Sequence, residues 1–181
     1  MKTSETRLFS GGLKGAEETF GACAESLGVP ETTLSFDGHR IARTKNLTIL
    51  SDAELARGDI SMEIVSARMG RRYARTDILR RVFQLIFHMV NNSQQVFAIG
   101  WIQPDKTVVG GTGWGVELAK FFNRQVSVFD QTANQWFTWK SHDWQEDQPI
   151  ISTAAFCGTG TRNLTSEGRQ AIEDLFARSF R

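Results

Sequence analysis

The feature that most constrains the fold is a pattern found four times along the chain, in which a β-prone run ends abruptly at glycine or a small polar turn. Helical patterns follow the first and fourth runs closely, from about Lys14 to Gly28 and from Thr165 onward. Such strand–turn–helix units predict a mostly parallel sheet covered by helices. The four runs and their turns are Arg7–Phe9 into Ser10-Gly11-Gly12, Gln95–Ile99 into Gly100, Gln125–Phe129 into Asp130-Gln131, and Thr153–Phe156 into Cys157-Gly158-Thr159-Gly160.

The rest of the chain fits one α/β domain over residues 1–181, a Rossmann-like three-layer sandwich with a mostly parallel sheet flanked by helices. Ligands bind such sheets at the carboxyl ends of the strands, where all four turns are expected to meet. The further predicted elements are a strand at Thr32–Phe36, helices at Asp52–Arg57, Ile60–Met69, Asp77–Val90 and Gly113–Phe122, an edge strand at Trp136–Trp139 and a loop at Asp143–Gln148.

Composition excludes several classes of protein. The formal net charge is +1, so no global basic field indicates nucleic-acid binding. The two cysteines, Cys23 and Cys157, belong to no CxxC or Cys/His cluster, and we predict neither a metal site nor a cofactor. No run of about 18 apolar residues predicts a spanning helix, and Met1–Thr6 lacks the apolar core of a secretory signal. We therefore predict a cytoplasmic protein that binds no membrane.

The segment from Val108 to Glu117 is the most specific motif. Gly110, Gly111 and Gly113 let the backbone approach a ligand closely, and the free N–H groups of the helix that follows can bind phosphate. Glu117, about one turn into that helix, can accept hydrogen bonds from ribose hydroxyls or act as an acid or base. The alternative is a tight turn followed by a stabilising acidic residue.

The loops resemble those of a known superfamily. Gly110-Gly111-Thr112-Gly113 with Glu117 matches the GGxG-x-x-x-E loop of the SLOG superfamily, which includes the lonely-guy phosphoribohydrolases and the Rossmann domain of DNA-processing proteins. The opening Ser10–Glu17 resembles the SGGxxGAD start, and Phe156–Arg162 the FAGxGTR segment, of a subgroup often carried by phages. Together these motifs span nearly the whole chain.

The resemblance implies a nucleotide or a nucleotide-derived ligand. In the phosphoribohydrolases the glycine loop holds the phosphate and its glutamate engages the ribose. The resemblance therefore implies that Gly110, Gly111 and Gly113 line the phosphate site and that Glu117 is the catalytic carboxylate. Two departures weaken the case for hydrolysis: Trp114 stands where the family loop usually has threonine, and the arginine segment upstream of the family loop is not found. Relatives commonly pair through helices, so the resemblance also implies a dimer.

Each of the further candidate ligand-binding residues has two interpretations. Lys14 can neutralise a phosphate or lie in solvent, and Arg162 can bind a phosphate or a carboxylate, or tie the last helix to the sheet. Asp130 can bind a ribose hydroxyl or cap a turn. Within the basic stretch Arg68–Arg81, Arg75 is a candidate for reaching the pocket, although a solvated helix surface is the simpler interpretation. The complete set of predicted ligand-binding residues is Ser10, Gly11, Gly12, Lys14, Gly15, Trp101, Gly110, Gly111, Thr112, Gly113, Trp114, Asp130, Gly158, Gly160, Thr161 and Arg162.

Three functions remain open on the sequence alone. The first is binding of a nucleotide, ADP-ribose-like, NAD-like or cyclic. The second is hydrolysis of the N-glycosidic bond of a nucleotide by Glu117. The third, association with DNA, is disfavoured by the near-neutral charge. The identity of the ligand, its turnover and the oligomeric state are not fixed by the sequence.

Overall fold

The computed structural model describes residues 2–73 and 76–180. Within these residues, helices follow four of the eight strands, including the two for which the sequence predicts a strand–turn–helix unit. After a short 3-10 turn at Thr3–Glu5, the elements are β1 (Arg7–Ser10), α1 (Ala16–Ser26), β2 (Glu31–Ser35), β3 (Leu47–Ile49), α2 (Asp52–Ala56), α3 (Asp59–Met69), α4 (Asp77–Asn91), β4 (Gln95–Gly100), α5 (Gly110–Phe121), β5 (Gln125–Asp130), β6 (Gln135–Lys140), β7 (Asp143–Glu146), β8 (Ala155–Gly160) and α6 (Ser166–Ser179).

All eight strands form one sheet in the order β3-β2-β1-β8-β4-β5-β6-β7. Neighbouring strands pair in parallel along the part of the sheet ordered β3-β2-β1-β8-β4-β5. The strands β6 and β7 add an antiparallel hairpin at one edge. The prediction of a mostly parallel sheet flanked by helices, consistent with a Rossmann-like fold, is confirmed. Because β1, β8 and β4 are adjacent and parallel, their glycine-rich ends meet at one edge of the sheet.

Buried side chains alternate along the central strands. On β4, Val96 and Ala98 belong to an apolar cluster that includes side chains of α3, α4 and α5, whereas Phe97 and Ile99 belong to a second cluster with α1 and α6. A strand buried on both faces requires a continuous apolar run, which explains why the sequence of β4 does not alternate between apolar and polar residues. The helices thereby fix the position of the glycine-rich strand ends. Within the described residues, every helix is too short or too polar to cross a bilayer.

Several details differ from the sequence-based expectation. The strand β3 was not predicted, because its three residues are exposed and show no burial pattern. The segment 143–146 is the edge strand β7 and not a loop, since the backbone of β6 pairs with it although three of its four side chains are polar. β6 is therefore not at the edge. The last strand does not stop at Phe156 but continues to Gly160.

The extension of β8 has a physical reason at Gly158. A Cβ atom there would lie 2.5 Å from Cγ of Phe20, so the glycine is needed to let α1 pack on the strand. Gly158 thus lies within a buried strand and not in a turn. Likewise, α5 begins at Gly110 and not at Gly113, which brings the first two glycines of the motif into the first helical turn.

Candidate functional site

A cavity of about 710 Å³ opens at the edge of the sheet where β1, β8 and β4 end. Parallel strands direct their carboxyl ends to this edge, and the turns that leave them form the walls. Of the predicted residues, those that line the cavity are Gly11, Trp101, Gly110, Gly111, Thr112, Gly160, Thr161 and Arg162. Residues predicted from the sequence therefore line this cavity from three of its loops.

Other predicted glycines support these loops without lining the cavity. Gly12 has φ of +69°, and its carbonyl accepts hydrogen bonds from the N–H groups of Ala42 and Arg43. A Cβ on Gly15 would lie 2.7 Å from the carbonyl oxygen of Thr161, so this glycine lets the first and last loops touch. A Cβ on Gly113 would lie 2.1 Å from the carbonyl oxygen of Val108. These positions, like Gly158, require glycine for packing.

The remaining predicted polar and aromatic residues are engaged elsewhere or exposed. Asp130 caps a turn, with its carboxylate accepting hydrogen bonds from the N–H groups of Ile102, Thr132 and Ala133. Trp114 is 4% exposed and stacks on Phe83 with 4.1 Å between ring centroids. Ser10 is buried within β1, and Lys14 is exposed outside the cavity lining. Arg75 lies outside the described residues.

The structure does not bring Glu117 to the cavity. Its Oε1 accepts a hydrogen bond from Nζ of Lys120 at 2.7 Å, and both side chains are nearly buried. The Lys120 ammonium lies 3.8 Å from the ring centroid of Trp139 and 4.7 Å from that of Trp144. Glu117 thus belongs to an ion pair covered by the tryptophans of the β6–β7 hairpin, where cation–π attraction stabilises the ammonium group.

A different carboxylate, Glu17, lines the cavity. It is 3% exposed, its Oε1 accepts a hydrogen bond from Oγ1 of Thr159 at 2.8 Å, and its Oε2 accepts one from the N–H of Leu13 at 3.0 Å. Burial raises the pKa of Glu17 from 4.5 to about 7, although hydrogen bonds from Leu13, Thr159 and Gly11 oppose the shift. The sequence favours interpreting Glu17 as an acid of the first helical turn, with contact to a ligand as the alternative. Its position directly behind a glycine loop was the available signal.

The apolar wall of the cavity was also missed. The helix α4 was expected to be deeply buried, yet Ile78 is 50% exposed and Leu79 is 41% exposed. The cavity leaves this part of the helix without a packing partner, and both residues line it. The α4 residues on this wall are Ile78, Leu79, Val82, Phe83, Leu85, Ile86 and Met89.

The polar rim faces an uncapped helix start. Val109, the residue before α5, offers no side-chain hydrogen bond to the first turn, and a Cβ on Gly110 or Gly111 would meet nothing within 4 Å. The first N–H groups of a helix have no intrahelical partners and attract anions. Arg40 and Arg162 line the same cavity. The start of α5 and these two arginines therefore suit a negatively charged group.

Arg71 fixes the approach to that helix start. Its guanidinium donates hydrogen bonds to the carbonyl oxygens of Val108 and Gly110 and to Oγ1 of Thr107. One member of the basic stretch is thus structural and holds the glycine loop in place. In the part of the chain that the structure describes, no group of three or more His, Cys, Asp or Glu side chains is placed to hold a metal ion.

Comparison with known proteins gives no match to any family model, curated protein or solved structure. The chemistry of the cavity is therefore the basis on which function is assigned.

Proposed function

We propose that this protein binds a nucleotide or a nucleotide-derived phosphate ligand, of ADP-ribose-like, NAD-like or cyclic-nucleotide type, at the carboxyl edge of its sheet. The observation that carries the proposal is the cavity of about 710 Å³ whose walls combine glycine-rich strand ends with an apolar helix face. Sites for small ligands are typically concave, about 300–1,000 Å³ in volume and mostly apolar, with a few polar groups.

The cavity divides into two chemical regions. The start of α5 and Arg162 provide backbone N–H groups and a guanidinium for phosphate oxygens. The wall formed by α4 provides the aliphatic surface against which a base or sugar can pack. A ligand with an anionic end and a flat, weakly polar end fits this division.

The resemblance of three loops to SLOG motifs supports the same ligand class. We extend the proposal accordingly to a three-layer Rossmann-like sandwich formed by a single domain over residues 1–181, and to a cytoplasmic dimer. For hydrolysis through Glu117, its carboxylate would have to reach the cavity, whereas it accepts a hydrogen bond from Lys120. We therefore propose binding as the function and keep N-glycosidic hydrolysis through Glu117 as the alternative.

The test is calorimetric titration with AMP, ADP, ADP-ribose, NAD and cyclic AMP, using wild type, Arg162→Ala and Arg169→Ala. Arg162 lines the cavity, whereas Arg169 is an exposed arginine of α6 outside it. We expect Arg162→Ala to weaken binding of the preferred ligand about tenfold, as loss of one charge-assisted hydrogen bond predicts. Arg169→Ala should bind as wild type does.

Two results would contradict this proposal. One is that none of the five compounds binds to the wild-type protein. The other is that Arg162→Ala and Arg169→Ala change the affinity equally, which would place the ligand outside the cavity. Release of free base by the wild type, lost in Glu117→Gln, would favour the hydrolytic alternative.

A further inference from the structure

Glu17 lies where the apolar wall of the cavity meets the first glycine loop. A Cβ atom built on Gly11 would lie 2.9 Å from Oε2 of Glu17, 3.4 Å from Sδ of Met89 and 3.5 Å from Cδ2 of Leu85. The carboxyl group therefore lies near a thioether and an aliphatic side chain of α4, at the region that suits the base of a nucleotide. Such a group is costly to bury without a partner.

The hydrogen bonds to Glu17 leave acceptor capacity unused. A carboxylate offers about four lone-pair sites. Oε1 accepts from Oγ1 of Thr159, and Oε2 accepts from the N–H of Leu13. The N–H of Gly11 also stabilises the ionised form. All three partners are donors, which favours the carboxylate, so a further group that binds there should also be a donor.

We propose that Glu17 contacts the base of the bound nucleotide and selects a base with an exocyclic amino group over its oxo counterpart. This inference rests on the proposed function. The amino group donates a hydrogen bond to the carboxylate, whereas the carbonyl oxygen of an oxo base would face it as an unpaired acceptor. Sites built to pair with a donor discriminate strongly against analogues that lack it.

The protonation of Glu17 gives this selection a pH dependence. Its pKa is about 7, so the carboxylate dominates at pH 8.5 and the neutral acid at pH 6. The neutral acid can donate a hydrogen bond to a carbonyl oxygen, so the preference for the amino base should shrink as the pH falls. For a ligand that binds only the carboxylate, affinity falls about tenfold between pH 8.5 and pH 6.

Few other titratable groups of the described residues face Glu17. On β8, Cys157 is a buried thiol whose pKa is raised well above its usual value, so it stays neutral over this range. The side chains that α4 places beside the carboxyl group are Leu85 and Met89, which do not titrate. His39, Arg40 and Arg162 line the same cavity from other loops. The pKa of His39 is lowered by burial, and Glu17→Gln separates the two titrations because it removes that of Glu17 and keeps His39.

The experiment compares ADP-ribose with its deaminated analogue, inosine diphosphate ribose, at pH 6 and pH 8.5. Both carry a diphosphate diester without the monoester group that titrates near pH 6. The variants are Glu17→Gln, which keeps the shape of the neutral acid, and Glu18→Gln as the matched control at an exposed position outside the cavity lining. Circular dichroism verifies that each variant is folded.

We expect the wild type to bind ADP-ribose at least tenfold more tightly than the inosine analogue at pH 8.5, with a smaller ratio at pH 6. Glu17→Gln should reduce the ratio to about threefold or less and remove its pH dependence, because an amide both donates and accepts. Glu18→Gln should behave as wild type. Thr159→Val, which removes a hydrogen bond to Oε1, should raise the pH midpoint of the preference.

The inference is overturned if the wild type binds both compounds equally or prefers the inosine analogue at pH 8.5. It is also overturned if Glu17→Gln keeps the wild-type ratio and pH profile. In either case, tight binding that depends on Arg162 would leave the proposed function intact. If neither compound nor any other nucleotide binds, the proposed function fails and the inference fails with it.

Discussion

At the scale of single residues, burial of Glu17 makes the stability of the fold depend on pH. Because its folded pKa of about 7 lies above the value of 4.5 in the unfolded chain, the native state holds a proton that the unfolded chain has released. The stability linked to this group is fully present below pH 4.5 and is lost as the pH rises through 7. Folding at alkaline pH must therefore accommodate a buried charge.

We predict that Glu17→Gln raises the free energy of unfolding at pH 8.5 by on the order of 3 kcal/mol and changes it little at pH 4.5. Urea unfolding at the two pH values measures the difference. Glu18→Gln, at the exposed neighbouring position, is the control and should show no such pH dependence. Equal destabilisation of Glu17→Gln at both pH values would contradict the prediction.

At this scale, the sequence identified the glycines that line the cavity better than the carboxylate that lines it. Gly11, Gly110, Gly111 and Gly160 line the cavity as predicted, because glycine at a strand end or helix start leaves an identifiable pattern. From the sequence, Glu17 and Glu117 are both expected near helix starts behind glycine loops, and nothing local distinguishes them. Which of them lies in the cavity depends on how the helices pack on the sheet, which a single sequence does not display.

At the scale of elements, Lys120 of α5 pairs with Glu117 of the same helix and contacts the tryptophan rings of the hairpin formed by β6 and β7. Lys120 donates a hydrogen bond to Glu117 and another to the carbonyl oxygen of Lys106, which also accepts one from Nε1 of Trp144. Removing one partner of a nearly buried pair leaves the other charge without compensation. The pair therefore contributes to docking the hairpin on the helix.

We predict that Lys120→Met lowers the free energy of unfolding by about 3 kcal/mol, because it strands the Glu117 carboxylate. The double variant Lys120→Met/Glu117→Gln should recover part of this loss. Urea unfolding of the wild type, both single variants and the double variant forms the measurement. Additive losses, with no recovery in the double variant, would show that the two side chains do not interact. Ligand affinity should stay unchanged throughout.

Elements with a strong apolar pattern were predicted well, and elements without one were not. The helix α4 was expected at Asp77–Val90 and lies at Asp77–Asn91. Three of the four side chains of β7 are polar, and the strand forms by pairing with β6, which a local sequence pattern does not show. The three-residue strand β3 is exposed and was missed for the same reason, because it is held by backbone pairing with β2.

At the scale of the whole molecule, the two apolar clusters share the same strands. Alternate residues of β4 contribute to each cluster, so unfolding one helical face removes half of the burial of the central strand. We predict a single cooperative unfolding transition, in which far-ultraviolet circular dichroism and intrinsic fluorescence give coincident urea curves. Two separated transitions would show that the faces unfold independently.

The architecture of the molecule was the most predictable level. Strand–turn–helix succession indicated a parallel sheet, and parallel sheets carry their sites at the carboxyl ends of the strands. The composition of the cavity was not predictable, because its apolar side belongs to a helix whose pattern is the same whether it faces a core or an open cleft. Exposure of Ile78 and Leu79 distinguishes the two, and exposure is a property of the folded chain.

The position of Trp101 has an optical consequence. Of the five tryptophans, Trp101 is the one that lines the cavity, whereas Trp114, Trp136, Trp139 and Trp144 are packed against other aromatic rings. A molecule entering the cavity would change the polarity around one indole and leave the other four spectrally constant. Tryptophan emission would therefore report occupancy of the cavity without a dye or a label. Trp101→Phe would remove this change in emission.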